Sequence, residues 1–137
     1  MRSASHAFAR LIGLACALAT GMAAAATQDA AAVRIKAGEA IYARCLACHA
    51  LAYDRTGPRH CGLFGRKAGS VPGFDYSQAM RQSNIVWDQK TLDRFLENPV
   101  KAVPGTSMGY AGIASPTERQ ALITYLRQAN ESSECKK

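Results

Sequence analysis

Cys45-Leu46-Ala47-Cys48-His49 is the run on which everything else in this chain turns. Two cysteines three positions apart, followed at once by histidine, form the attachment signature of a c-type haem in an exported protein. The spacing has a chemical reason. Cysteines three residues apart share one helical face, so each thiol can add to one vinyl group of the same porphyrin while His49 directs its imidazole at the iron. Two other chemistries use similar motifs. A thioredoxin-like dithiol sits at the start of a helix after a strand, and no strand pattern precedes Cys45. A zinc site needs a second Cys or His pair at compatible spacing, and only the scattered His60 and Cys61 offer one. Haem attachment is the expected chemistry.

The export context comes from the first residues. Arg2 and Arg10 precede an apolar run from Leu11 to about Gly21, and Ala24-Ala25-Ala26 supplies small-residue cleavage sites. This pattern predicts a secretory signal peptide over 1–26, with Cys16 leaving inside it, and a single domain over 27–137. The run is short and alanine-rich, below the roughly 20 strongly apolar residues that spanning requires, so no stable membrane insertion is expected. The expected location is the periplasm. A mature chain of about 110 residues makes one small core, to which a flat apolar cofactor would add substantially.

Lys and Arg number 17 against 10 Asp and Glu, a formal net charge of +7, which falls by two when Arg2 and Arg10 depart. Modest positive charge suits salt-sensitive encounter with acidic protein surfaces. The basic residues are scattered rather than clustered, which argues against nucleic acid as a partner.

Ala37, Ala40, Ile41 and Cys45 recur near helical spacing, predicting a first helix over 33–48 that delivers both cysteines. From Leu51 to about Ser83, Thr56-Gly57-Pro58, Gly62, Gly65, Gly69 and Val71-Pro72-Gly73 mark successive turns. So long an irregular segment makes sense in a compact domain when a cofactor is what it wraps. Asp88 is placed to cap a helix ending near Asn98, before Pro99. Ser115-Pro116-Thr117-Glu118 reads as a capping box, and Ala121, Leu122, Tyr125, Leu126 and Ala129 continue at helical spacing, predicting a last helix over 115–130. No useful strand pattern appears, so the class is all-α.

A haem iron held by His49 has a second axial position. After processing, Met80, Met108 and His60 remain as candidates for it. Pro104-Gly105-Thr106-Ser107 forms a loop able to lay the Met108 thioether across the far haem face, whereas a gap-filling core role is the default for Met80. Position favours Met108 without eliminating the others.

These residues together resemble class I cytochrome c in its mitochondrial-like bacterial branch, over nearly the whole expected mature sequence. The resemblance is carried by Cys45 to His49, Thr56-Gly57-Pro58, Gly62-Leu63-Phe64-Gly65-Arg66-Lys67, Pro72-Gly73-Phe74, Tyr76, Trp87, Leu96-Glu97-Asn98-Pro99, Pro104-Gly105-Thr106 with Met108, Ala111-Gly112-Ile113 and the Glu118 to Leu126 helix. It implies a small helical cytochrome c fold around one covalent haem c, with first and last helices crossing near Ala37, Ile41, Leu122 and Tyr125. It implies His49 as proximal ligand, the Pro58 carbonyl accepting its other ring hydrogen, and Met108 as distal ligand. Trp87 and Tyr76 are implied donors to a haem propionate, with Arg66 offsetting its charge. Phe95 stands where the family usually has a tyrosine, Met80 where it often has an asparagine, and His60 and Cys61 where leucine and histidine are common. The lysines ringing the haem edge in mitochondrial relatives are thin, with Val100 and Ser107 at two such places and Lys101 retained.

Cys61 and Cys135 are the thiols left over, and an even remainder in an oxidising compartment predicts a Cys61–Cys135 disulfide. The expected function is a monomeric one-electron carrier between redox proteins, such as a quinol-oxidising cytochrome complex and a terminal oxidase or another periplasmic redox enzyme. The alternatives are a haem enzyme or gas binder with a labile sixth ligand, and a dedicated acceptor for one periplasmic dehydrogenase.

Overall fold

The computed structural model describes residues 27–136. The signal peptide expected over 1–26, and Cys16 with it, lies outside the described residues. The chain divides into two units, Met1–Val33 and Arg34–Lys137. In the first, residues 27–33 are helical and largely exposed. The second carries the cysteine motif and all the chemistry below.

The second unit opens on α1, the helical residues 34–42, and no strand occurs among the described residues. The expected helix over 33–48 is therefore too long at its C-terminal end: residues 43–48 are turns. The hydrogen bonds give the reason. Cys45 N–H donates to the Tyr42 carbonyl at 2.8 Å and Cys48 N–H to that of Cys45 at 3.1 Å, both three residues back, so the chain tightens as the motif begins.

Four further helices follow: α2 (Gln78–Gln82), α3 (Gln89–Glu97), α4 (Pro99–Ala102) and α5 (Pro116–Glu131). Asp88 caps α3 as expected, its carboxylate accepting from Thr91 N–H at 2.7 Å while the Thr91 hydroxyl accepts from Asp88 N–H at 2.8 Å. Asn98 ends α3 and caps α4, where Pro99 takes the first position, so two short helices meet at one residue. Ser115 caps α5 by accepting from Glu118 N–H at 3.3 Å, and the helix ends one residue later than expected.

The core gathers Ile41, Leu92, Phe95, Leu96, Leu122, Ile123 and Leu126 from α1, α3 and α5. The first and last helices do cross, but Ala37 is exposed and Gly38 takes its place. A Cβ on Gly38 would overlap the Ala121 carbonyl and come within 2.7 Å of Tyr125 Cβ, so the backbones meet directly there. Buried Arg119 ties α5 to α3 through Asp93 at 2.9 Å and also donates to the Ile113 and Ala114 carbonyls.

Between α1 and α3 the chain is mostly turns, as expected. Lys67 and Val86 form an isolated antiparallel bridge, and Trp87 N–H donates to the Arg66 carbonyl at 2.9 Å, which sets those two residues side by side. The Cys61–Cys135 disulfide is present, with Cα atoms 5.1 Å apart, and fastens the tail after α5 to this loop. Asn130 adds to that attachment by accepting from Leu63 N–H at 3.0 Å.

Candidate functional site

An apolar cavity of about 510 Å³ in the second unit is lined by residues of α1, α2, α3, α5 and the loops between them. It brings together the candidate haem-binding residues: Cys45, Cys48, His49, Pro58, Arg66, Tyr76, Trp87 and Met108 all line it. Met80, Phe95 and His60 line it too. Tyr42, Tyr110 and a set of leucines line it as well; Tyr42 is missed by the sequence reading, although it stands three residues before Cys45 on the same helical face.

Cys45 is partly buried and Cys48 exposed, and neither is in a disulfide. Burial raises the Cys45 thiol above its ordinary range, with the Arg44 charge opposing. The His49 ring is buried and its Nδ1–H donates to the Pro58 carbonyl at 2.8 Å, which leaves Nε2 as the ring's metal-binding nitrogen. Burial lowers the His49 pKa and the Pro58 bond opposes it; the lowering favours the neutral ring, the form in which imidazole binds a metal. Gly57 makes this placement sterically feasible. A Cβ there would sit within 2.6 Å of both His49 Nδ1 and Nε2 and closer still to Cε1, distances that put it over the ring face.

Met108 reaches the cavity from the loop after α4. Thr106 N–H donates to the Val103 carbonyl at 3.0 Å, and the Thr106 hydroxyl accepts from Met108 N–H at 3.2 Å. Gly105, at φ +90°, allows the chain to turn between them, in a region that a side chain would strain. Met80 comes from α2, held by Ser77, whose hydroxyl accepts from Met80 N–H at 3.2 Å. Trp87 is 7% exposed and packs its ring 5.1 Å from that of Phe95.

Arg66 carries the clearest sign of an unmet electrostatic need. Its guanidinium donates to the Cys61 carbonyl at 3.0 Å and the Arg59 carbonyl at 2.9 Å, yet its Nε is buried without a partner. Burial lowers its pKa and nearby Tyr76 counters the effect. Arg66 and Arg44, the latter paired with Glu118 at 3.6 Å, are the charged residues of the lining, which contains no carboxylate, so an anionic group suits the cavity beside Arg66.

The arrangement fits a haem. An apolar space takes the porphyrin face, two unpaired thiols stand at its edge, an oriented imidazole and a thioether share its walls, and an orphaned Arg66 Nε awaits a carboxylate. A zinc site lacks its donors: among the described residues no three His, Cys, Asp or Glu side chains converge, and Cys61 is committed to its disulfide. The family model for cytochrome c matches residues 35–130.

This chain belongs to the cytochrome c family. It is 46% identical over 96 residues to cytochrome c type-1 of Ascaris suum, across 69% of this chain and 81% of that relative. It is 44% identical over 92 residues to cytochrome c2 of Rhodomicrobium vannielii, across 65% of this chain and 74% of that one. Among solved structures it matches cytochrome cH from Methylobacterium extorquens with a TM-score of 0.66 and 39% identity, over 68% of this chain and 96% of that one. The fold is thus the all-α cytochrome c fold, and the cofactor of this cytochrome c is one haem c bonded through Cys45 and Cys48.

Proposed function

We propose that this cytochrome c is an exported, periplasmic one-electron carrier with His49 and Met108 as its axial ligands. The observation that carries the reading is the single cavity whose lining combines the two thiols, the oriented His49 ring and the Met108 thioether. When bound, haem supplies a ferric/ferrous couple that takes up and gives back one electron.

The chain's own residues account for the rest. The thioether bonds fix the group to the chain, and the Pro58 carbonyl orients His49 by accepting its Nδ1–H. On the iron, the soft Met108 thioether would favour the ferrous state and raise the potential relative to paired histidines. The leucines, Phe95 and Met80 exclude water, which limits the reorganisation accompanying a change of charge. Arg66, whose Nε has no partner, would offset a propionate, and Tyr76 and Trp87 would donate to it. Exposed Cys48 marks the edge at which electrons pass to and from redox partner proteins, such as a quinol-oxidising complex and a terminal oxidase. Among the described residues no helix is long and apolar enough to cross a membrane.

Carbon monoxide difference spectra of the reduced holoprotein at neutral pH test this reading. A carrier with both axial positions filled binds the gas slowly or not at all. Rapid, stoichiometric binding would instead identify an open sixth position and a haem enzyme or gas binder.

A further inference from the structure

His60 has no part in the haem chemistry described so far, yet it touches the proximal histidine. Its ring stacks on that of His49 with centroids 4.3 Å apart and planes inclined by 21°. At its edge, His60 Nδ1 shares a 3.0 Å hydrogen bond with the Tyr42 hydroxyl. Tyr42 is itself held, 3% exposed in α1 with its ring 5.2 Å from that of Tyr125 in α5. The backbone of His60 is fixed as well, its N–H donating to the Ala50 and Leu51 carbonyls at 3.1 Å, and Cys61 beside it is anchored by the disulfide.

A histidine ring has a broad torsional well about its Cβ–Cγ bond. The Pro58 hydrogen bond fixes where Nδ1 points, but a single in-plane bond leaves the ring free to rock about that direction. Removing this freedom takes groups packed on the ring face. Gly57 covers part of that surface, and His60 presses a parallel ring against it. We propose that His60, pinned by Tyr42, is a positioning residue that sets the rotational angle of the His49 imidazole relative to the haem. The proposal rests on His49 being the iron ligand.

That angle has its own observable, because in a ferric low-spin haem the order and spread of the paramagnetically shifted haem-methyl proton resonances depend on the orientation of the axial ring. The test compares holoproteins carrying His60→Leu, His60→Phe and Tyr42→Phe with wild type. His60→Leu keeps bulk but loses the stacked ring, and should change the order or spread of the methyl resonances while keeping the far-red sulfur-to-iron band. His60→Phe restores a flat ring and should return the pattern most of the way. Tyr42→Phe removes only the hydroxyl and should shift the pattern in the same sense as His60→Leu, by less. Methyl resonances that match wild type in both His60→Leu and Tyr42→Phe, or in Tyr42→Phe alone where His60→Leu does not fold, would overturn the proposal. Failure of the underlying ligand assignment shows separately, as a wild-type ferric spectrum without histidine-ligated low-spin haem.

Discussion

Replacing both Cys61 and Cys135 by serine opens the cross-link between the tail and the loop behind His49. The bond closes a sequence separation of 74 residues, for which loop-closure entropy amounts to roughly 4 kcal/mol. The thioether bonds at Cys45 and Cys48 lie outside that loop, so they leave its entropy in the unfolded chain untouched. The backbone at both ends is held by bonds that do not involve the sulfurs: Cys61 N–H donates to the Leu51 carbonyl and Cys135 N–H to that of Ser132. The double variant should therefore keep a native absorption spectrum and lose stability chiefly through its freer unfolded state. With a urea slope of about 2 kcal/mol per M, the midpoint of unfolding followed by circular dichroism should fall by about 2 M. A loss below about 1 kcal/mol at unchanged slope would refute the reasoning, by showing that the unfolded chain gains little freedom when the bond is removed.

Other perturbations probe the packing and the charges. Leu122→Ala empties a site that is 0% exposed and should cost about 2–5 kcal/mol in denaturant unfolding. Gly38→Ala forces a methyl into the Ala121 carbonyl where α1 meets α5, and should lower the thermal midpoint by separating those helices. The Arg119 hydrogen bond holds the Asp93 carboxyl below the usual carboxylate range. Such a group contributes stability above its unfolded pKa, near ~3.9, and loses it as pH falls through the folded value. Asp93→Asn should accordingly be less stable than wild type at pH 7, and chemical unfolding at a series of pH values should show the gap closing in acid.

Much of this molecule is legible in its sequence wherever a local rule operates. The Asp88 and Ser115 caps lie within a few residues of the groups they satisfy, and α3 and α5 begin where the caps require. The motif reads through because haem attachment itself demands that spacing. Legibility fails where length or distance defeats local pattern. Helix α2 has five residues and α4 four, too few to display a period. The end of α1 escapes the pattern because Cys45 continues the apolar spacing while the backbone has already tightened into turns. The Tyr42–His60–His49 contact joins residues far apart in sequence, and nothing in their spacing announces it. Ala37 and Gly38 show a subtler failure: periodicity finds the helix face, but only the backbone approach at Ala121 reveals that glycine is the contact.

The identity of the distal ligand is tested most directly by the ferric absorption spectra of the holoprotein and of Met108→Ala and Met80→Ala. With Met108 on the iron, the weak far-red sulfur-to-iron band is present in wild type and Met80→Ala and absent from Met108→Ala. A band that survives in Met108→Ala and disappears in Met80→Ala would contradict the assignment.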